Sequence, residues 1–261
     1  RVVNYSGGGS ASYTKEQAVA YADSHNVLLV ASAGNGFQDS VQYPAHYSDN
    51  YHNVMAISAT TCNDRLADFS NFGASVCVAA PGGQGTPWGT NDVYSTTPNY
   101  PVVLNNSPYY LTQSYGYIAG TSQSCGMVTG LASLLLSIEP NLTAHELREI
   151  IEQSADKVGD YTYYIETGKS YELGYGRINC HQALIMASGY TYVYGDANAD
   201  GSVTVADLVH LLNYLFKFGP APDPLSAGDP NADCVITVGD VVYLTNYLFR
   251  TGAPLQRGCV E

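Results

Sequence analysis

Basic residues are scarce in this chain. Its 261 residues include only 10 Lys and Arg against 23 Asp and Glu, which gives a formal net charge of −13 at pH 7. This excess of negative charge argues against nucleic acid or an anionic membrane surface as a partner. The chain also lacks any apolar run near the roughly 18 residues that a membrane-spanning helix needs. We therefore expect no nucleic-acid partner and no membrane span.

The six cysteines include no Cys-x-x-Cys pair, which argues against thiolate metal sites. Such cysteines favour disulfides in an oxidising compartment and so predict a secreted, extracellular or cell-surface protein. Cys62 and Cys77 flank a hairpin-like segment between neighbouring predicted strands, and we predict that they pair. A second predicted pair, Cys234 with Cys259, would tie the C-terminal tail to an acidic loop. The other two cysteines have no assigned partner.

The first 190 residues alternate between strand and helix patterns. Apolar runs bounded by Gly, Pro and Asn predict buried strands over Val27–Ala31, Val54–Ala59 and Val76–Ala80. Capping-box patterns predict helices that begin at Thr14 and at Thr143. Alternation of this kind is typical of an α/β domain with a parallel sheet.

A Gly-Thr-Ser triplet, Gly120–Ser122, lies where a strand-like run ends and a long predicted helix begins. A serine at such a turn presents its hydroxyl at the helix N-terminus, where unpaired N–H groups and the helix dipole favour developing negative charge. That geometry suits a nucleophile whose reaction builds an oxyanion. Taken alone, the triplet is more simply explained as a helix N-cap, because Ser and Thr are preferred there.

Two further segments are ambiguous when each is taken alone. Asn35 ends the apolar run that begins at Val27, and by itself would be a turn residue after Gly34. The run from Ser6 to Ser10 would be a flexible linker, although the preceding Val2-Val3 favours an edge strand that a peptide backbone can approach closely.

Taken as an ordered set with Tyr43-Pro-Ala, Phe69–Gly73 and Val78–Gly82, these motifs resemble the C-terminal two-thirds of a subtilisin-like serine peptidase, or subtilase. The resemblance covers about residues 2–187. It implies a three-layer α/β domain with a parallel sheet over residues 1–190, its N-terminal part missing, that cleaves protein or peptide substrates.

The resemblance also assigns roles to individual residues. It implies that Ser122 is the nucleophile and that the side-chain amide of Asn35 donates to the oxyanion. The substrate-binding residues that it implies are Ser6, Gly7, Gly8 and Gly9 for the backbone-receiving strand, and Ala31, Ser32, Ala33 and Gly34 for the wall of the first pocket. That wall is small and uncharged, which permits a large apolar substrate side chain.

The chain departs from the subtilase pattern in two ways. Gly126 and Met127 stand where the family motif has Pro and His. In addition, none of the six histidines lies in a His-Gly-Thr context, and no Asp-Ser-Gly or Asp-Thr-Gly segment precedes them. Since a Ser-His-Asp triad needs both a base and an orienting acid, we expect an N-terminal fragment of the same protease to supply the Asp and the His.

Beyond Gly195 the sequence repeats itself with an offset of 33 residues, from Asp196 to Asp229. Each copy is a twelve-position loop with oxygen-bearing side chains at positions 1, 3, 5, 9 and 12, followed directly by a predicted helix. Ca²⁺ takes about six to eight oxygen ligands at such a spacing, with a backbone carbonyl from position 7. The alternative is a pair of Asx-rich turns without metal. We predict two Ca²⁺ ions, bound by Asp196, Asn198, Asp200, Ser202, Thr204 and Asp207 and by Asp229, Asn231, Asp233, Val235, Thr237 and Asp240.

Asp at position 12, the helix that follows it and the Pro-rich link between the copies resemble a dockerin type I module, assigned to residues 195–261. The resemblance implies docking to a cohesin-like or other anchoring protein, with apolar residues at 205–206 and 238–239 predicting a drier interface. Position 6 requires positive φ and is Gly201 in the first loop but Cys234 in the second. Because a β-carbon there costs about 1–2 kcal/mol, we expect the second site to be weaker or differently shaped.

Three functions remain in competition. The first is a secreted serine endopeptidase whose C-terminal portion is this chain. The second is a catalytically inactive subunit that uses the subtilase fold as a structural or adhesive scaffold in an extracellular assembly. The third is a calcium-dependent docking protein whose protease half is vestigial. Because Ser122 and Asn35 are both present, we favour the first.

Overall fold

The computed structural model describes residues 1–85, 91–102, 114–188, 193–250, 252–256 and 258–260. The chain divides into two compact units, Arg1–Gly189 and Tyr190–Glu261. Residues 189–192, where the sequence places the domain boundary, lie outside the described residues. Within the described ranges, no helix has both the length and the apolar character needed to cross a bilayer.

The first unit is built on a parallel sheet of four strands. In spatial order, which is also chain order, these are β1 (Val2–Tyr5), β2 (Leu28–Ser32), β3 (Val54–Thr60) and β4 (Val78–Pro81). The two inner strands are buried along their whole length. Continuous apolar runs are expected of parallel strands covered on both faces, so the predicted α/β class with a parallel sheet is confirmed.

Helices cover both faces of this sheet. They are α1 (Tyr13–Ser24), α2 (Thr121–Ile138), α3 (Ala144–Gln153) and α4 (Cys180–Ala187). Successive strand residues point to opposite faces. Leu28 and Val30 therefore join a core formed with α2, α3 and α4, whereas Leu29 packs on the other face with Val19 of α1 and with Tyr47. The three layers follow from this alternation.

The sequence located the helix starts with unequal success. The capping box at Thr143 is present, since the Thr143 hydroxyl accepts from the Glu146 N–H and the Glu146 carboxylate accepts from the Thr143 N–H. The expected cap at Thr14 is wrong by two residues, because Ser12 is the N-cap and its hydroxyl accepts from the Lys15 N–H. Ser is the better N-cap of the two residue types, and the chain uses it.

An antiparallel ribbon leads into the longest helix of the first unit. Its strands are β5 (Val93–Thr96) and β6 (Tyr115–Ile118), paired from Val93 opposite Ile118 to Thr96 opposite Tyr115. The chain leaves β6 at Ile118 and begins α2 at Thr121. This strand-to-helix turn contains the Gly-Thr-Ser triplet.

The second unit contains a pair of helices, α5 (Val205–Lys217) and α6 (Val238–Phe249), which pack around a small core that includes Leu208, Leu211 and Leu244. Each helix begins with a capping box, made by Thr204 with Asp207 and by Thr237 with Asp240. The last residue of each acidic loop therefore also starts a helix.

The structure contradicts the predicted pair Cys62–Cys77, since both thiols are free. β3 and β4 are parallel, and the Cys77 N–H, just before β4, donates to Ala56 O near the start of β3. Cys62 follows the end of β3, six residues further along, which corresponds to roughly 20 Å at about 3.3 Å per residue. A disulfide needs Cα atoms within about 7 Å. The predicted pair is therefore wrong, because the prediction treated two parallel strands as a hairpin.

The second predicted disulfide is present. Cys234 and Cys259 are bonded, with Cα atoms 4.6 Å apart. The tail is therefore attached to the second acidic loop, as the sequence predicted.

Candidate active site and calcium loops

Ser122 lies in the first turn of α2 and is not its cap. The N-cap is Gly120, whose own N–H donates to Gly82 O at 2.8 Å. Ser122 Oγ is 3.5 Å from Ser6 O, and Ser6 Oγ donates to Ser122 O at 2.9 Å. The alternative explanation of the triplet, in which a hydroxyl caps the helix, is therefore wrong.

Asn35 reaches the same helix start from the end of β2. Its Oδ1 accepts from the Thr121 N–H at 2.9 Å and from the Thr121 hydroxyl at 2.8 Å. With the oxygen held twice, the Nδ2 of this exposed side chain is left as a donor with no hydrogen-bond partner among the described residues. A β-carbon on Gly120 would lie 3.4 Å from that Nδ2, so the amide group lies beside the turn that carries Ser122.

The start of α2 offers further positive potential. The Ser122 N–H makes no hydrogen bond within the described part of the chain. Unpaired N–H groups and the helix dipole together attract negative charge at a helix N-terminus. Asn35 Nδ2 and the Ser122 N–H are therefore two donors at one turn, next to a serine hydroxyl.

The structure brings the predicted substrate-binding residues together. Gly9 exchanges two backbone hydrogen bonds with Tyr43, each 3.1 Å long, and Ser32 Oγ donates to Gly7 O at 3.2 Å. The run Ser6–Gly9 thus lies beside the end of β2, where Ala31, Ser32, Ala33 and Gly34 are buried.

Gln42 was missed by the sequence analysis and lies between these two segments. A β-carbon on Gly8 would overlap Gln42 Oε1, and one on Gly34 would be 3.0 Å from the Gln42 side chain. The Gln42 N–H donates to Ala33 O at 2.8 Å. Its side-chain amide makes no hydrogen bond within the described residues. Nothing in the local sequence singles out this glutamine, because only the fold brings the two glycines next to it.

The histidines lie elsewhere. His25 contacts Tyr21 and Ser24, His46 contacts Ser75, and the ring centroids of His52 and His145 are 4.9 Å apart. The five histidines of unit Arg1–Gly189 are all described, and no hydrogen bond joins any of them to Ser122. Within the described part of this unit, a hydroxyl and two donors thus lie together with no histidine base beside them.

Cys125, one turn after Ser122, is not a second nucleophile. Its thiol is fully buried and donates to Val30 O at 3.2 Å. Burial raises the pKa of the Cys125 thiol to about 11. Since the thiolate is the reactive form, this cysteine is a core residue.

A cleft of about 430 Å³ lies beside the site. The ribbon β5–β6 lines one side of it, including Tyr94 and Ile118, and the first turns of α2 line the other through Gln123, Gly126 and Met127. Gly126 and Met127, which depart from the subtilase pattern, therefore line this cleft on the helix that carries Ser122.

The two acidic loops of the second unit bury their first and last carboxylates. Asp207, Asp229 and Asp240 are fully buried and Asp196 is 5% exposed. Backbone N–H groups of each loop converge on its first carboxylate. Asp196 accepts from the N–H groups of Asp200 and Gly201, and Asp229 from those of Asp233 and Cys234. This is the arrangement expected when a loop wraps around a cation.

Carboxylate oxygens of Asp229, Asp233 and Asp240 come within 4.8 Å of one another. Asp240 Oδ1 is buried and has no hydrogen-bond partner among the described atoms. Burial, with the charges of Asp229 and Asp233, raises the pKa of the Asp240 carboxyl. A hard cation with oxygen ligands would satisfy that oxygen and offset the repulsion, so these residues fit Ca²⁺.

Comparison with known proteins agrees with this geometry. A sequence profile of the subtilase family matches residues 1–176, and one of the dockerin type I domain matches residues 194–249. Thermitase from Thermoactinomyces vulgaris is 34% identical over 186 residues, covering 70% of this chain and 54% of thermitase. A thermophilic serine proteinase of Bacillus sp. (strain AK1) is 38% identical over 172 residues, covering 66% of this chain and 34% of that protein.

A solved protease from Pseudoalteromonas arctica superposes on this chain with a TM-score of 0.56 at 29% identity. The match covers 72% of this chain and 51% of the other. The chain thus spans about half of the length of thermitase and of this protease, and about a third of that of the Bacillus proteinase.

Proposed function

The chain belongs to the subtilase family, with a dockerin type I domain after the subtilase domain, and on that premise we propose that it is the C-terminal portion of a secreted serine endopeptidase. The observation that carries the proposal is the orientation of Asn35. Because its oxygen is held by Thr121, its amide N–H₂ is directed to the turn that carries Ser122.

In the proposed reaction the Ser122 hydroxyl adds to the scissile carbonyl of a peptide, and its proton passes to a base. The carbonyl oxygen becomes an anion, which Asn35 Nδ2 and the Ser122 N–H would stabilise at the positive end of α2. The base then gives its proton to the leaving nitrogen, and collapse of the intermediate expels the amine and leaves an acyl-Ser122 ester. Water hydrolyses this ester to release the acid and restore the Ser122 hydroxyl.

The base is proposed to be a histidine, held by an aspartate, on an N-terminal fragment of the same protease. The proposal is supported by the positions of the chain's own histidines, none of which is hydrogen-bonded to Ser122 in the described residues. An acyl-transfer serine needs such a partner to lose its proton at neutral pH.

A fluorophosphonate probe tests this assignment. We expect it to label Ser122 when the chain is combined with the segment that precedes it in the relatives, and the Ser122→Ala variant to stay unlabelled. A surface control, Ser133→Ala, should label like the unaltered chain. Failure of the combined protein to react would favour the alternative function, an inactive structural or adhesive scaffold with the same fold.

The substrate is proposed to lie along Ser6–Gly9, with one side chain entering the pocket bounded by Ala31–Gly34. Gln42 fills part of the space between these segments and carries an unpaired amide. The sequence alone suggested room for a large apolar side chain. With Gln42 in place, we propose that the pocket accepts short or polar side chains instead.

The dockerin domain is proposed to bind two Ca²⁺ ions and to attach the protease to a cohesin-type or other anchoring protein outside the cell. Val205 and Val238 are about half exposed at the start of α5 and α6, as are Val209 and Val242 one turn further on. These matching apolar positions support an interface with few polar contacts. Calcium titration of the full chain by calorimetry tests the number of ions.

A further inference from the structure

The second calcium loop is attached to the C-terminal tail at several points. The Gln256 N–H donates to Pro230 O at 2.9 Å, and the Cys259 N–H donates to Asp229 Oδ2 at 2.9 Å. In addition, a disulfide joins Cys259 of the tail to Cys234 of the loop. Of the described residues, those of the tail contact the second loop at its positions 1, 2 and 6.

The backbone N–H groups of both disulfide-bonded cysteines donate to the same oxygen atom. Asp229 Oδ2 accepts from the Cys234 N–H at 3.1 Å and from the Cys259 N–H at 2.9 Å. In the first loop the equivalent Asp196 Oδ2 accepts only from the Gly201 N–H, at 2.8 Å, within the described chain. The disulfide therefore fixes two donors on one carboxylate, and the first loop has no counterpart.

This difference coincides with a difference in how the carboxylates are arranged. Among the described residues, Asp229, Asp233 and Asp240 are the one group of three acidic side chains whose oxygens all lie within 4.8 Å of one another, and the three matching residues of the first loop do not meet this distance. Three carboxylates at this distance repel one another, so other contacts must hold them in place. Hydrogen bonds from N–H groups to a carboxylate do this because they are charge-assisted.

The residue at position 6 also distinguishes the second loop from the first. Cys234 has φ of 67° and Gly201 has φ of 88°, so both loops turn in the left-handed region. For Cys234 that backbone conformation is unfavourable, and its disulfide partner lies in the tail segment that supplies the second donor.

We infer that Cys259 is a positioning residue of the second calcium site. The tail and its disulfide hold Asp229 in its binding position before Ca²⁺ arrives, so one further backbone N–H fixes the first ligand of the second loop than fixes that of the first loop. The second site is then stronger because of Cys234, not weaker. The inference rests on the proposed binding of Ca²⁺ by both loops.

Calcium titration by isothermal calorimetry on the full, oxidised chain tests this. Asp207→Asn isolates the second site and Asp240→Asn isolates the first. In each background the intact disulfide is compared with the double change Cys234→Gly and Cys259→Ala, which leaves the second loop with the residue that the first loop has at position 6. We expect the Kd of the second site to rise about tenfold or more, as loss of a charge-assisted hydrogen bond implies. The Kd of the first site should change by less than about twofold.

Two results would overturn the inference: an unchanged Kd at the second site, or equal weakening of both sites, which would mean general destabilisation of the module. Reduction of the unaltered disulfide by a dithiol is a second route that needs no substitution, and it should also weaken the second site alone. Absence of calcium binding by the unaltered chain would instead refute the proposed calcium function itself.

Discussion

Asn35 depends on a single neighbour for its orientation. Thr121 binds the side-chain oxygen through both its N–H and its hydroxyl, and this leaves the nitrogen as the donor. We expect Asn35→Asp to keep the contact with Thr121 and to lose the donor. Fluorophosphonate labelling of Ser122 in the combined protein should then slow by about 10²–10³, the usual effect of removing one oxyanion donor.

A matched change separates this effect from loss of structure. Thr121→Val removes the hydroxyl that orients Asn35 and leaves the amide present, so labelling should slow less than in Asn35→Asp. If Asn35→Asp labels at the rate of the unaltered protein, Asn35 is not the oxyanion donor.

Gln42 should control which substrate side chain is accepted. Replacing it with glycine removes the amide that lies against Gly8 and Gly34 and opens the pocket. We expect Gln42→Gly to raise kcat/KM for peptides with Phe before the scissile bond, relative to Ala, by about tenfold, since burying a few methylene groups contributes about 1–3 kcal/mol. Gln17→Gly, on the exposed face of α1, is the control, and an unchanged ratio for Gln42→Gly would contradict the assignment.

Among the helices, α3 has a start that responds to pH. Hydrogen bonds from the N–H and then from the hydroxyl of Thr143 lower the pKa of the Glu146 carboxyl. A pKa lowered by folding contributes stability above the unfolded value, about 4.3, and that contribution is lost as pH falls through the folded pKa. Glu146→Gln should therefore lower the urea midpoint at pH 7 and lose this effect at pH values below the folded pKa.

Glu166→Gln is the control. Its side chain is exposed and makes no hydrogen bond or ion pair among the described residues. Its urea midpoint should differ from that of the unaltered chain by a similar amount at pH 5 and at pH 3. A constant difference for Glu146→Gln over that range would contradict the capping argument.

Elements made by local patterns were mostly predicted well, whereas contacts between elements were predicted less well, with the disulfide Cys234–Cys259 as the exception. The capping box of Thr143 and the apolar run of β2 involve neighbouring residues, so they can be identified from spacing alone. The predicted pair Cys62–Cys77 failed because pairing depends on whether two strands are parallel, which their own residues do not specify. Gln42 was missed for the same reason, since Gly8 and Gly34 meet it only in the folded unit.

The whole chain should respond to calcium removal in two parts. Repulsion between the loop carboxylates increases without a cation, and binding free energy contributes directly to folding of such a module. With EDTA we expect the transition of unit Tyr190–Glu261 in differential scanning calorimetry to move to lower temperature, and that of unit Arg1–Gly189 to stay unchanged.

A chain carrying both Asp207→Asn and Asp240→Asn provides the comparison, because it should resemble the EDTA-treated chain with calcium present. If EDTA lowers both transitions by the same amount, calcium is not confined to the acidic loops. If EDTA moves neither transition, the loops contribute no calcium-dependent stability.

The path of the chain through the second unit has a mechanical consequence. Gly195, where the unit begins its first loop, donates to Ala227 O, and Gly258 lies against Ser226 O. Gly195 and Gly258 therefore both lie at the short turn Leu225–Gly228. A pulling force applied between these two residues would load that turn and the adjacent disulfide, and it would bypass the two helices. A tether attached near Gly195 or near Gly258 would therefore pull on the unit at nearly the same point. Moving the linker from one of these positions to the other should leave the unit equally folded under the same tension.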